Sequence, residues 1–181
     1  MMTILKRAAL PLLLLFVFLF ENMFSTVVPT DVFWKGSIAA PHFFIIVLCF
    51  ITVYYIPVQG IYYGLLFGFL FDTVYTELVG IYIFTYPILA YLVYSVMKVL
   101  QLNLFIVASI VLAGIAALEY YVYGFLTLLG RTHMSASVFF TDRLLATLLL
   151  NGIFLLIVCF PLRRYLVRLS KAIEEKEKRI F

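Results

Sequence analysis

Apolar residues fill this chain in blocks near the length of a membrane-crossing helix, parted by short polar breaks. The first block runs from Ala8 to Phe20 and on toward Phe24, preceded by Lys6 and Arg7. It resembles a secretory signal. No small-residue cleavage site follows in the stretch 21–28, so it reads as a retained first span. Pro29, Asp31, Lys35 and Gly36 mark a loop over 28–40, with Trp34 as an interfacial anchor. The apolar run over 38–71 is too long for one span. It breaks at Ile56-Pro57-Val58-Gln59-Gly60, because proline suits a helix start and disfavours helix in the residue before it. Span two is therefore expected over about 40–56 and span three over about 58–71, or on through Thr76. Span four is expected over about 78–97, with a kink at Pro87. Span five follows over about 104–129, and span six over about 139–160, stopped by Pro161 and Arg163-Arg164. Thr141 or Asp142 is the expected cap of span six.

Composition sharpens this pattern into a class. The chain is 66% hydrophobic and 12% charged, with a mean hydropathy of +1.15. Soluble domains are about half apolar and about a quarter charged, so a water-soluble surface is excluded. The expected fold is an all-α polytopic membrane bundle of about six transmembrane helices. Residues 1–162 form the bundle and 163–181 a basic cytoplasmic tail helix. Leu162, Leu166, Leu169 and Ile173 lie at helical spacing in and before that tail, and Glu174–Lys178 and Glu175–Arg179 are i,i+4 pairs.

Charge then sets orientation. Six spans put Lys6, Arg7, Lys98, Arg163, Arg164 and Arg168 on one side, and Lys35, Arg131 and Arg143 on the other. The lysine and arginine bias places both termini in the cytoplasm of a multi-pass plasma-membrane protein. The formal net charge of +4 sits largely in the C-terminal run, so no nucleic-acid partner is expected. Cys49 and Cys159 fall inside apolar runs and read as small core residues.

Ionisable residues within spans usually face protein or water. Glu21, Asp72, Glu119 and Asp142 fall toward the outer side, with Arg131 and Arg143, as an outer polar cluster. They form either interhelical ion pairs, for example Glu119 with Arg143, or a ligand or lipid pocket. Asn151 is a mid-membrane polar residue of span six. His42 and His133 read as interfacial hydrogen bonders, and the tyrosine clusters at 54–55, 62–63 and 120–123 as interfacial belts. No catalytic constellation, metal-ligand spacing or cofactor motif is present, so neither an enzyme, a metal nor a cofactor is expected.

Span three carries the sharpest motif, Gly60-x-x-x-Gly64-x-x-x-Gly68-x-x-x-Asp72. Residues four apart share a helix face, so the glycines form a groove for close helix approach, within the bundle or against a partner. Gly80 extends the spacing. This motif, followed by Leu78-Val79-Gly80, resembles the signature of the bacterial rod shape-determining MreD family. The chain length, basic N-terminus, Asn151 and the Pro161-Leu-Arg-Arg exit fit it too. The resemblance implies a non-enzymatic scaffold of the cell-elongation machinery. It would bind the bitopic protein MreC and thereby connect, indirectly, to MreB filaments, the glycosyltransferase RodA and a class B penicillin-binding protein. It would help position lateral peptidoglycan synthesis and maintain cell shape. The six-span plan and Gly-rich third span are also similar to substrate-binding subunits of energy-coupling-factor vitamin transporters. That alternative would make Glu21, Asp72, Glu119 and Arg143 a ligand pocket.

Overall fold

A computed structural model describes residues 2–29, 31–75, 80–100 and 103–177. Among these the chain is all-helical. The helices are α1 (Met2–Val27), α2 (Phe43–Tyr54), α3 (Pro57–Tyr75), α4 (Tyr82–Val99) and α5 (Leu104–Leu128). The last, α6, is continuous in three pieces: Ala136–Val138, a π-helical turn Phe139–Leu144, and Leu145–Glu177. Among the described residues, four apolar stretches are long enough to cross a membrane: Ala9–Val27, Tyr82–Val99, Leu104–Leu128 and Ala136–Ile173. The helix α3, at 19 residues, rises about 28 Å.

The centre of the bundle is α2. Every residue from Phe43 to Thr52 is buried. A helix apolar on all sides belongs inside, and α2 is packed by α1, α3, α4, α5 and α6. Its aromatic side chains knit these walls together. Phe43 stacks on Phe154 of α6 at 4.1 Å, and Phe44 lies 4.9 Å from Phe67 of α3 and 5.6 Å from Tyr86 of α4. Phe18 of α1 meets Phe71 of α3 edge-on at 4.7 Å.

Two boundaries depart from expectation. The second span is only 12 residues of helix, about 18 Å of rise against a hydrocarbon core of about 30 Å. The non-helical stretch 37–42 supplies the remainder. Pro161 does not stop α6, which runs through it to Glu177. A proline forfeits one backbone bond, and packing on both sides holds the helix here. Leu155, Cys159, Leu162, Leu166 and Leu169 form one buried stripe across the proline. The tail thus extends the last helix rather than starting afresh. The Glu174 and Glu175 pairs with Lys178 and Arg179 lie outside the described residues, as does Thr76.

The cap of α6 also differs. Ser135, not Thr141 or Asp142, accepts the early N–H, from Val138 at 3.4 Å. The helix therefore begins before Thr141 and Asp142, which fall within its π turn. The far end of α5 closes with Gly130 in the left-handed region (φ 65°). Gly130 donates to the Thr127 carbonyl and Arg131 to that of Leu126, the paired bonds of a Schellman ending.

Candidate functional site

Polar groups converge where the chain enters α2. Backbone that is not helical survives at membrane depth only if protein satisfies it. The stretch 37–42 lies along the start of α6 and is satisfied by it. Ile38 donates its N–H to the Asp142 carbonyl at 2.7 Å. Ala40 donates to the Thr147 hydroxyl at 3.1 Å, and that hydroxyl donates to the Ile38 carbonyl at 3.4 Å. Asn151 Nδ2 donates to the carbonyls of Ala40 and Thr147, both at 2.8 Å. Asn151 Oδ1 accepts the His42 N–H at 2.7 Å. Thr147 and Asn151 are fully buried and one helical turn apart, so both reach the same strand of chain.

The N-terminus of α2 also faces a carboxylate. Glu21, from α1, accepts the Phe44 N–H at 2.6 Å. A helix start carries unsatisfied N–H groups and partial positive charge, so a buried acid is stabilised there.

Beside it stands a three-member cluster. Glu119 of α5 accepts from Arg143 Nε at 2.7 Å and from Arg143 Nη2 at 3.3 Å. His42 Nε2 lies 2.7 Å from the same carboxylate. The carboxylate is buried and the guanidinium is about a third exposed. Two-pronged arginine–carboxylate pairing fixes geometry as well as charge. The cluster joins α5 and α6 to the entrance of α2.

Asp72 works at a second place. It is fully buried at the end of α3. Its carboxylate accepts N–H groups from Gly80 at 2.9 Å, Tyr82 at 2.9 Å and Ile83 at 3.0 Å. It therefore caps α4 from the neighbouring helix. Gly80 sits in the turn at φ 122°, a conformation side chains rarely adopt, rather than on the helix stripe.

The glycine stripe faces inward. A Cβ at Gly60 would strike Thr52 of α2, one at Gly64 would press Pro87 of α4 and Leu48, and one at Gly68 would lie 2.8 Å from the Ile83 Cα. These contacts let α3 settle against α2 and against the backbone of α4 at Pro87 and Ile83.

Of the six outer polar residues, Glu119 and Arg143 are thus bonded, and Glu21 lies across the α2 entrance. Asp72 belongs to the α3–α4 junction. Asp142 contributes its backbone carbonyl, and its side chain accepts from the Thr141 hydroxyl at 2.9 Å. Arg131 lies in the α5 ending. A cavity of about 220 Å³ does open nearby, lined by Phe24, Val28, Val32, Pro41, Arg143 and Leu150 among others. Glu21, Asp72 and Glu119 are not among its walls. Among the described residues, no three His, Cys, Asp or Glu side chains converge as a metal set.

The sequence undervalued His42 and missed Thr147. The signals were there: His42 follows Pro41 at the head of the apolar run, and Thr147 stands four residues before Asn151. The tyrosines divide too. Tyr62, Tyr120 and Tyr121 are exposed, whereas Tyr54 is buried. Tyr123 donates to the Met134 carbonyl at 2.8 Å and ties down the loop before α6.

Residues 6–169 match the family described as rod shape-determining protein MreD. The chain is 34% identical over 171 residues to the rod shape-determining protein MreD of Bacillus subtilis (strain 168), covering 94% of this chain and 99% of that one. No solved structure matches.

Proposed function

The chain belongs to the MreD family of rod shape-determining membrane proteins, and on that premise we propose that it is a non-enzymatic scaffold of the cell-elongation machinery. It binds an MreC-like protein with a single span. Through that partner it connects to MreB filaments, RodA and a class B penicillin-binding protein, and so helps to position lateral peptidoglycan synthesis.

The observation that supports this reading is the use made of the buried acids. Glu21 and Asp72 each hold a helix start, and Glu119 holds Arg143 and His42. The ionic groups brace the bundle, and the glycine stripe tightens it. That is the chemistry of a rigid platform for other membrane proteins rather than of a reaction centre. The proposed orientation has both termini cytoplasmic. The antiparallel helix order supports it by gathering Lys98, Arg163, Arg164 and Arg168 at the end opposite Arg143.

Depletion in a rod-shaped bacterium tests the proposal. Cells should round, and the tagged protein should co-purify with a one-span partner. Rods that persist after depletion, with no second copy of the gene, would sink it.

A further inference from the structure

At the other end of α6 lies a cavity with an unusual lining. It measures about 300 Å³ and is walled by Arg163, Arg164, Val167 and Arg168. Among the described residues no carboxylate pairs with any of these arginines. The Nε of Arg163 and the hydroxyl of Tyr54 are buried beside each other. The Arg163 guanidinium lies over the Tyr54 ring, 5.6 Å from its centre. Three guanidiniums on one helix face with no carboxylate beside them call for an anionic acceptor from outside the chain.

Depth identifies the acceptor. Arg163 follows Arg143 by 20 residues along one helix, a rise of about 30 Å, the thickness of the hydrocarbon core. Arg143 joins the polar cluster at one end, so Arg163 stands at the level of lipid phosphates on the other. The Arg164 guanidinium folds back over the Phe160 ring, 5.5 Å from its centre, and is held at the edge of the apolar surface. Arginine suits a phosphate because its planar fork meets two oxygens at once. Val167 gives the cavity an apolar wall, as the glycerol and first methylenes of a lipid would need.

We propose that this cavity binds the phosphate of an anionic phospholipid, held by Arg163, Arg164 and Arg168 beside Tyr54. The site is distinct from the polar hub at the opposite end of the bundle, and it does not depend on the scaffold reading.

The test is native mass spectrometry of the full chain released from micelles holding equal amounts of dioleoyl phosphatidylglycerol and dioleoyl phosphatidylcholine. Phosphatidylglycerol should be retained in preference. Each arginine removed should weaken that retention about fivefold. Arg164 and Arg168 are exposed, so Arg164→Gln and Arg168→Gln leave folding intact. Arg163→Gln, checked by circular dichroism, should show the largest loss. Lys98→Gln at the same end of the bundle should change nothing. Equal retention of both lipids would overturn the proposal. So would a Lys98→Gln effect as large as that of Arg164→Gln, which would mean diffuse attraction. Displacement of the lipid by millimolar inorganic phosphate would assign the site to free phosphate instead.

Discussion

Glu119 and Arg143 meet through two nitrogen–oxygen contacts, 2.7 and 3.3 Å long, that bind α5 to the π turn of α6. The two partners are unequally placed, since the carboxylate is 2% exposed and the guanidinium 31%. Removing Arg143 leaves the buried carboxylate with His42 alone, whereas Glu119→Gln removes the charge and leaves an arginine that reaches water. Arg143→Ala should therefore cost about 3 kcal/mol in denaturant unfolding of the micellar protein, and Glu119→Gln less. Equal losses would mean that the pair is not buried as described.

The glycines separate by what faces them. Gly68→Ala places a methyl against the backbone of Tyr82 and Ile83, which cannot rotate away. It should cost about 1–3 kcal/mol, and Gly64→Leu, set against Pro87, more. Gly124 and Gly152 have nothing within 4 Å of an added methyl. Gly124→Ala and Gly152→Ala should be neutral or gain up to about 1 kcal/mol from helix propensity. Thermal unfolding of the four variants side by side checks the contrast.

Asp72 holds three N–H groups at the start of α4. Asp72→Ala should release them together. Hydrogen exchange at Gly80, Tyr82 and Ile83 should accelerate while that of Val107 and Val111 in α5 stays slow. The expected loss of stability is about 2 kcal/mol. Unchanged exchange at these three amides would contradict the cap.

Asn151→Leu should be among the most damaging single changes. It keeps the branched outline of the side chain but leaves the His42 N–H and the Ala40 carbonyl without this partner at membrane depth. Unfolding should become easier by several kcal/mol. Asn151→Asp should fare no better at neutral pH, because it keeps the acceptor for His42 but sets a buried carboxylate against the Ala40 and Thr147 carbonyls.

The helical class and the order of helices were legible because hydrophobic runs and polar breaks are one-dimensional signals. The α3 boundary at Pro57 is an example: proline marks it in the sequence and begins the helix in the structure. The Glu119–Arg143 pairing was legible as one option among several, since it needs only neighbouring helices. The short α2 was not legible. Ala40, Pro41 and His42 look like more span, and only Thr147 and Asn151, more than a hundred residues later, show that this backbone is satisfied without being helical. His42 was undervalued for the same reason, because its partners come from α5 and α6. Pro161 misled because local propensity favours a stop there, and the leucine stripe that carries the helix onward is a property of packing.

A helix walled in on every side has no resting place in lipid of its own. At 12 residues α2 cannot settle across a bilayer while its surroundings are still being synthesised. Its entrance is closed by groups that emerge last from the ribosome, on α6. The native form of the second segment is therefore complete only once the sixth helix has arrived to enclose it, whatever the order in which the others insert.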